Sequence, residues 1–192
     1  MAAKKIAVLV GSLRKESITR KMAKALVANA PASLSFEFID IGALALYNQD
    51  LEERGATAPQ PWTDFRKQVA ACDAVLFFTP EYNRSVPAPL KNAIDVGSRP
   101  YGASVWSGKP GAIVSVSPGA IGAFGANHHL RQSLVFLDVP TMQQPEAYLG
   151  GAGDLFDDAG NLSNDSTKQF LQKYATAYAA WVETNAAKAK PA

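Results

Sequence analysis

Three short runs dominate what this chain can fold into: IAVLV at 6–10, AVLFFT at 74–79 and GAIVSVS at 111–117. None carries a charged residue, and apolar or small-residue runs of this length read as strands buried on both faces. Burial on both faces requires covering layers, which the intervening segments supply. Apolar side chains at helical spacing mark helices over 18–28, 62–71, 88–96, 121–136 and 167–183. Strand and helix alternate along the chain, the pattern of a parallel sheet wrapped by helices.

A further strand at 34–41 has a different texture: Leu34, Phe36 and Phe38 alternate with Ser35, Glu37 and Ile39. Period-two alternation suits a strand with one less-covered face, most economically an edge strand. A fifth, weaker strand is read at 139–143, VPTMQ. Right-handed crossovers and an edge position for the second strand then define the fold class. It is α/β, a flavodoxin-like doubly wound five-stranded parallel sheet in the order 2-1-3-4-5, with helices on both faces. The winding reverses between strands 1 and 3, so a ligand is expected beyond their carboxyl ends, touched by the loops after strands 1, 3 and 4.

At 192 residues, with 47% hydrophobic side chains, no internal repeat and no linker, the chain reads as one domain over 1–185. The tail from 186 to 192, AAKAKPA, lacks apolar periodicity and is expected to fray. Nineteen cations against seventeen acids, scattered along the chain, give no support to a nucleic-acid partner. The N-terminal apolar run spans five residues, too short for a membrane span or a signal peptide, so a cytoplasmic location is expected. The lone Cys72 precedes a buried strand and reads as an inert buried thiol.

The loop after strand 1 is GSLRKESITRK, 11–21. If the helix starts near Ser17, the N–H groups of its first turn have no intrahelical partner and favour an anion. The hydroxyls of Ser12, Ser17 and Thr19 and the guanidinium of Arg14 suit a phosphate, while Lys15 and Glu16 face solvent. The same residues are also ordinary turn and N-cap chemistry, and they form neither a Walker A loop nor a dinucleotide fingerprint.

After strand 3 comes TPEYNRSVPAPLKNAID, 79–95, stiffened by Pro80, Pro87 and Pro89. A stiff loop holds backbone groups where a flat heteroaromatic ring needs them, and Tyr82 offers an aromatic wall. The alternative is a merely stiff turn with Glu81 and Asn83 in water. After strand 4, in SVSPGAIGAFGANHHLR, Ser117, Pro118, Gly119 and Gly122 allow close approach of a flat ligand. His128 and His129 are adjacent and diverge on a helix, which argues for polar packing or a subunit contact rather than metal binding.

Together, in this order and at these separations, the three loops resemble the NAD(P)H-dependent FMN reductases. The resemblance is to the branch of chromate and quinone reductases that also includes FMN-dependent azoreductases. It runs from strand 1 to about Pro145 and is most specific in the central loop. It implies an enzyme that takes electrons from NADH or NADPH through FMN to quinones, with chromate or azo compounds as side substrates. The alternative is an FMN-binding electron carrier acting with a protein partner.

Carried over, the pattern places Ser12, Arg14, Ser17 and Thr19 on the FMN phosphate. It lays Pro80, Glu81, Tyr82 and Asn83 along the isoalloxazine ring, largely through backbone atoms, with Ser117, Gly119 and Gly122 on its other side. Thr19 stands where the family often has Asn, and Val96 where Trp is frequent. No catalytic side chain is required, because the flavin carries the chemistry. The family commonly forms homodimers or homotetramers, and Tyr101 and Trp106 suit either an interface or a cap on the core.

Overall fold

The computed structural model describes residues 2–53 and 55–186. The tail expected to fray lies, beyond Ala186, outside the described residues. Five parallel strands form one sheet: β1 (Lys4–Val10), β2 (Leu34–Phe38), β3 (Ala74–Thr79), β4 (Gly111–Val116) and β5 (Ala147–Leu149), in the expected order β2-β1-β3-β4-β5. The central strands are buried on both faces, and β2 is the less covered edge that its alternation announced.

Strand pleating divides the interior into two cores. Ile6, Val8 and Val10 of β1, with Leu76 and Phe78 of β3, face α1 (Ile18–Ala28) and α5 (Asp165–Ala186). Ala7, Leu9, Val75 and Phe77 face the other way, toward α2 (Gln60–Ala70), α3 (Ala88–Gly97) and α4 (Phe124–Phe136). The aromatic stripe of α5 is core, and two of its tyrosines reach the sheet backbone. Tyr174 donates to the Ile113 carbonyl at 2.9 Å and Tyr178 to that of Val75 at 2.8 Å. Trp106 belongs to the second core, fully buried and donating to the Ile94 carbonyl, so it caps the core. Cys72 is buried, and burial raises its thiol pKa.

The fifth strand corrects the expectation. Residues 139–143 contribute only a single bridge, Thr141 to Gly111, and the strand forms at Ala147–Leu149 against Val114–Val116. Pro140 and Pro145 lack the N–H that a ladder needs, so pairing resumes only beyond the second proline. Helix α4 starts at Phe124 rather than 121, because Gly122 and Ala123 both have positive φ (58° and 60°). Strand β2 stops at Phe38, and Ile39 and Ile41 turn into the second core. Helix α5 begins two residues early, capped by Asn164 Oδ1, which accepts the Thr167 N–H at 2.9 Å.

Candidate functional site

The loops after β1, β3 and β4 meet at the carboxyl edge of the sheet in a cleft of about 260 Å³. Its lining brings together eight of the eleven residues singled out in the sequence: Ser12, Arg14, Ser17 and Thr19 at one end, Pro80, Glu81, Tyr82 and Ser117 at the other. Ile18, Val116 and Pro118 complete it. Asn83, Gly119 and Gly122 lie outside the lining.

Ser17 is the N-cap of α1, and its hydroxyl oxygen accepts the Arg20 N–H at 3.1 Å. That leaves the hydroxyl proton of Ser17 and the N–H groups of Ile18 and Thr19 directed out of the first turn. Ser12, Ser17 and Thr19 are only 5%, 2% and 4% exposed. Buried hydroxyls normally have partners. Those of Ser12 and Thr19 make no hydrogen bond among the described residues, and neither oxygen is sealed from the cleft. Arg14 is exposed at the mouth and forms no ion pair among the described residues, while Lys15 and Glu16 point to solvent as expected. A concave set of unpaired donors at a helix N-terminus, with a guanidinium at its lip, matches a phosphate group.

The other end is a shelf. The Thr79 hydroxyl donates to the Pro80 carbonyl at 2.7 Å, fixing the first turn of the loop. Tyr82 and Ser85 then exchange two backbone hydrogen bonds, at 3.1 and 3.0 Å, around a two-residue turn in which Asn83 (φ 51°) and Arg84 (φ 63°) are both left-handed. This is type I′ turn geometry, which Asn tolerates and Arg adopts only under constraint. Across the cleft, the Ser117 hydroxyl accepts the Gly119 N–H at 3.0 Å, a local turn that shapes the opposite wall.

Gly122 is required for packing: a Cβ there would lie 2.4 Å from the Tyr148 carbonyl carbon. Its carbonyl meets the Ser115 hydroxyl at 2.7 Å, Asn127 Nδ2 donates to that same hydroxyl, and Arg131 Nε donates to Asn127 Oδ1. This network, buried at Ser115 and Asn127 and half-buried at Arg131, holds the β4 loop. Only tertiary structure assembles it.

His128 Nε2 lies 3.0 Å from the Tyr148 hydroxyl, which donates to Glu146 at 2.7 Å. Burial, reinforced by Glu146, pushes the Tyr148 phenol up to about 12. His129 meets the Ser85 hydroxyl at 3.0 Å, so both histidines serve polar packing. Arg99 lies beyond the far end of α3, against Ser98, and does not face the cleft. A larger groove of about 620 Å³ is lined by Arg131, Val135, Asp138 and Pro140, among others. The Arg131 guanidinium there is already engaged by Asn127 and the Met142 carbonyl, so the smaller cleft, with unpaired hydroxyls open to it, is the better candidate.

The sequence matches the family model for NADPH-dependent FMN reductase over residues 4–154. It is 63% identical to a quinone reductase of Pseudomonas putida, over 95% of this chain and 96% of that one. A 2-hydroxy-1,4-benzoquinone reductase from Burkholderia is 48% identical over 93% of this chain and 96% of the relative. The solved structure of FerB, a flavoenzyme NAD(P)H:(acceptor) oxidoreductase from Paracoccus denitrificans, superposes with a TM-score of 0.88 at 39% identity, covering 95% of this chain and 99% of FerB. With matches of this length and a cleft of this geometry, the chain belongs to the NADPH-dependent FMN reductase family.

Proposed function

We propose that this protein is an FMN-dependent NAD(P)H oxidoreductase that delivers electrons to quinones, with its FMN seated in the cleft between the loops after β1, β3 and β4. The observation that carries the placement is the pair of unpartnered hydroxyls of Ser12 and Thr19, on residues otherwise almost wholly buried but open to the cleft, beside the free N–H groups of the α1 N-terminus. Ser12, Ser17, Thr19 and Arg14 would hold the phosphate. The backbone from Pro80 to Tyr82 would line one side of the ring, with Ser117 on the other, while Asn83 and Gly119, outside the lining, would shape the turns that carry them. Gly122 would act from behind the wall, by letting it close against Tyr148. When bound, FMN supplies hydride acceptance from NADH or NADPH and electron delivery to the quinone.

The chain's own tasks are to bind, orient and leave one face open. A single open face serving two substrates in turn predicts parallel double-reciprocal plots. NADPH oxidation by the purified protein with a small benzoquinone, and no added protein, tests the enzyme reading against the electron-carrier one. Turnover only with a protein partner would favour the carrier.

Chromate and azo compounds fit as side acceptors, with the exposed Arg84 on the turn beside the cleft as a cation for an oxyanion. A homodimer or homotetramer fits the apolar surface of α4, where Phe136 is 83% exposed beside an exposed Val135. Tyr101, 92% exposed, would add to such an interface. A cytoplasmic location goes with the nicotinamide co-substrates and the lone reduced Cys72. No helix among the described residues is long and apolar enough to cross a membrane.

A further inference from the structure

The Glu81 side chain does something that its place in the central loop does not disclose. It is only 11% exposed, and its two oxygens go to different places. Oε2 accepts the backbone N–H of Ala126 at 2.9 Å, 45 residues away, and Oε1 faces Arg84 Nη1 at 3.4 Å. Ala126 is the third residue of α4, and an N-cap side chain would ordinarily accept from that position. The N-cap here is Ala123, left-handed and without a capping oxygen. Gly125 makes the approach possible: a Cβ there would stand 2.9 Å from the Arg84 carbonyl oxygen and 3.0 Å from Glu81 Oε2.

We propose that Glu81 is a positioning residue, a cap supplied in trans from the β3 loop to α4, which locks the two walls of the ring end of the cleft at a fixed separation. One carboxylate oxygen completes the first turn of α4 and so fixes the exit of the β4 loop. The other leans on Arg84 and supports a turn that holds two side-chain-bearing residues at positive φ. The helix dipole at the N-terminus of α4 favours a charged cap over a neutral one. The two walls therefore move as one unit, while the phosphate end, which shares none of these bonds, is set independently. The role of the walls toward a ring rests on the proposed flavin site. The clamp itself does not.

The test uses the full chain, first without flavin and then with FMN. In the apoprotein, Glu81→Ala is expected to speed amide exchange at Ala126 by about fivefold, the equilibrium worth of one N-cap. The cross-turn amides of Tyr82 and Ser85 should follow. Glu81→Gln, which keeps an acceptor for the Ala126 N–H, should restore most of that protection, and Gly125→Ala should reproduce the loss. With FMN, Glu81→Ala should weaken binding and alter the visible circular dichroism of the bound flavin. Lys15→Ala, at an exposed residue outside the cleft lining, should leave that spectrum unchanged.

Wild-type exchange at Ala126 in Glu81→Ala would overturn the proposal. So would a Glu81→Gln protein as unprotected as Glu81→Ala, and an unaltered spectrum of bound flavin in Glu81→Ala would overturn the positioning of the ring end. A wild-type protein that takes up no FMN would instead overturn the flavin site alone, because the clamp is judged in the apoprotein.

Discussion

The two ends of the cleft are built on different principles. The α1 end, proposed to hold the phosphate, is local: Ser12, Arg14, Ser17 and Thr19 lie within eight consecutive residues, and the Ser17 cap closes on Arg20 three positions later. The other end, proposed for the ring, is assembled across the chain, with Glu81 bonded to Ala126, Gly122 pressed on Tyr148, and Ser115, Asn127 and Arg131 in one hydrogen-bonded network. The local end leaves polar groups free for a ligand. The assembled end uses its polar groups on itself and presents rigid backbone. A charged, mobile phosphate needs donors, whereas a flat ring needs walls that stay apart.

Four substitutions sharpen or break this contrast. The largest effect is expected from Gly122→Ala, which combines a backbone clash with Tyr148 and a left-handed φ. It should cost the apoprotein about 3 kcal/mol or more in urea unfolding, and a loss below about 1 kcal/mol would mean the wall is not rigid. Arg14→Ala should weaken FMN binding by about 1.5–3 kcal/mol, the range for a hydrogen bond to a charged group. The apoprotein's urea midpoint should not move, since Arg14 is exposed and makes no ion pair among the described residues. A shifted midpoint would tie the two ends together.

Ser17→Ala affects both quantities. Losing the N-cap should cost about 1 kcal/mol of apoprotein stability, and the lost hydroxyl should also weaken FMN binding. The smallest effect concerns Tyr148, whose phenol is raised from 10.0 to about 12 in the folded state. The unfolded chain loses this proton first, so the contribution is complete below pH 10 and is lost as pH rises toward about 12. Tyr148→Phe should accordingly flatten the decline in stability across that window, measured by thermal melts at stepped pH.

The same division explains what the sequence alone discloses. Strands β1, β3 and β4 are legible because burial on both faces writes continuous apolar runs, and α1 starts at Ile18 as read because Ser17 is a local cap. Strand β5 is not legible: three residues between prolines and glycines carry no periodicity. The left-handed pair Gly122 and Ala123 hides the start of α4 for a similar reason, since the close approach of Gly122 to Tyr148 is a tertiary contact. Glu81 is legible as a member of the central loop and not as a cap, because its partner is a backbone N–H that any residue carries. Trp106 carries no pattern that distinguishes a core cap from an interface, and its burial against Ile94 decides the matter.

The α1 end of the cleft is the proposed seat of the FMN phosphate. Parallel titrations of the apoprotein with FMN and with riboflavin, which lacks only that phosphate, test it most directly. FMN is expected to bind more tightly by about 100-fold or more, and Arg14→Ala to remove a large part of the difference. Equal affinities for the two flavins would contradict it.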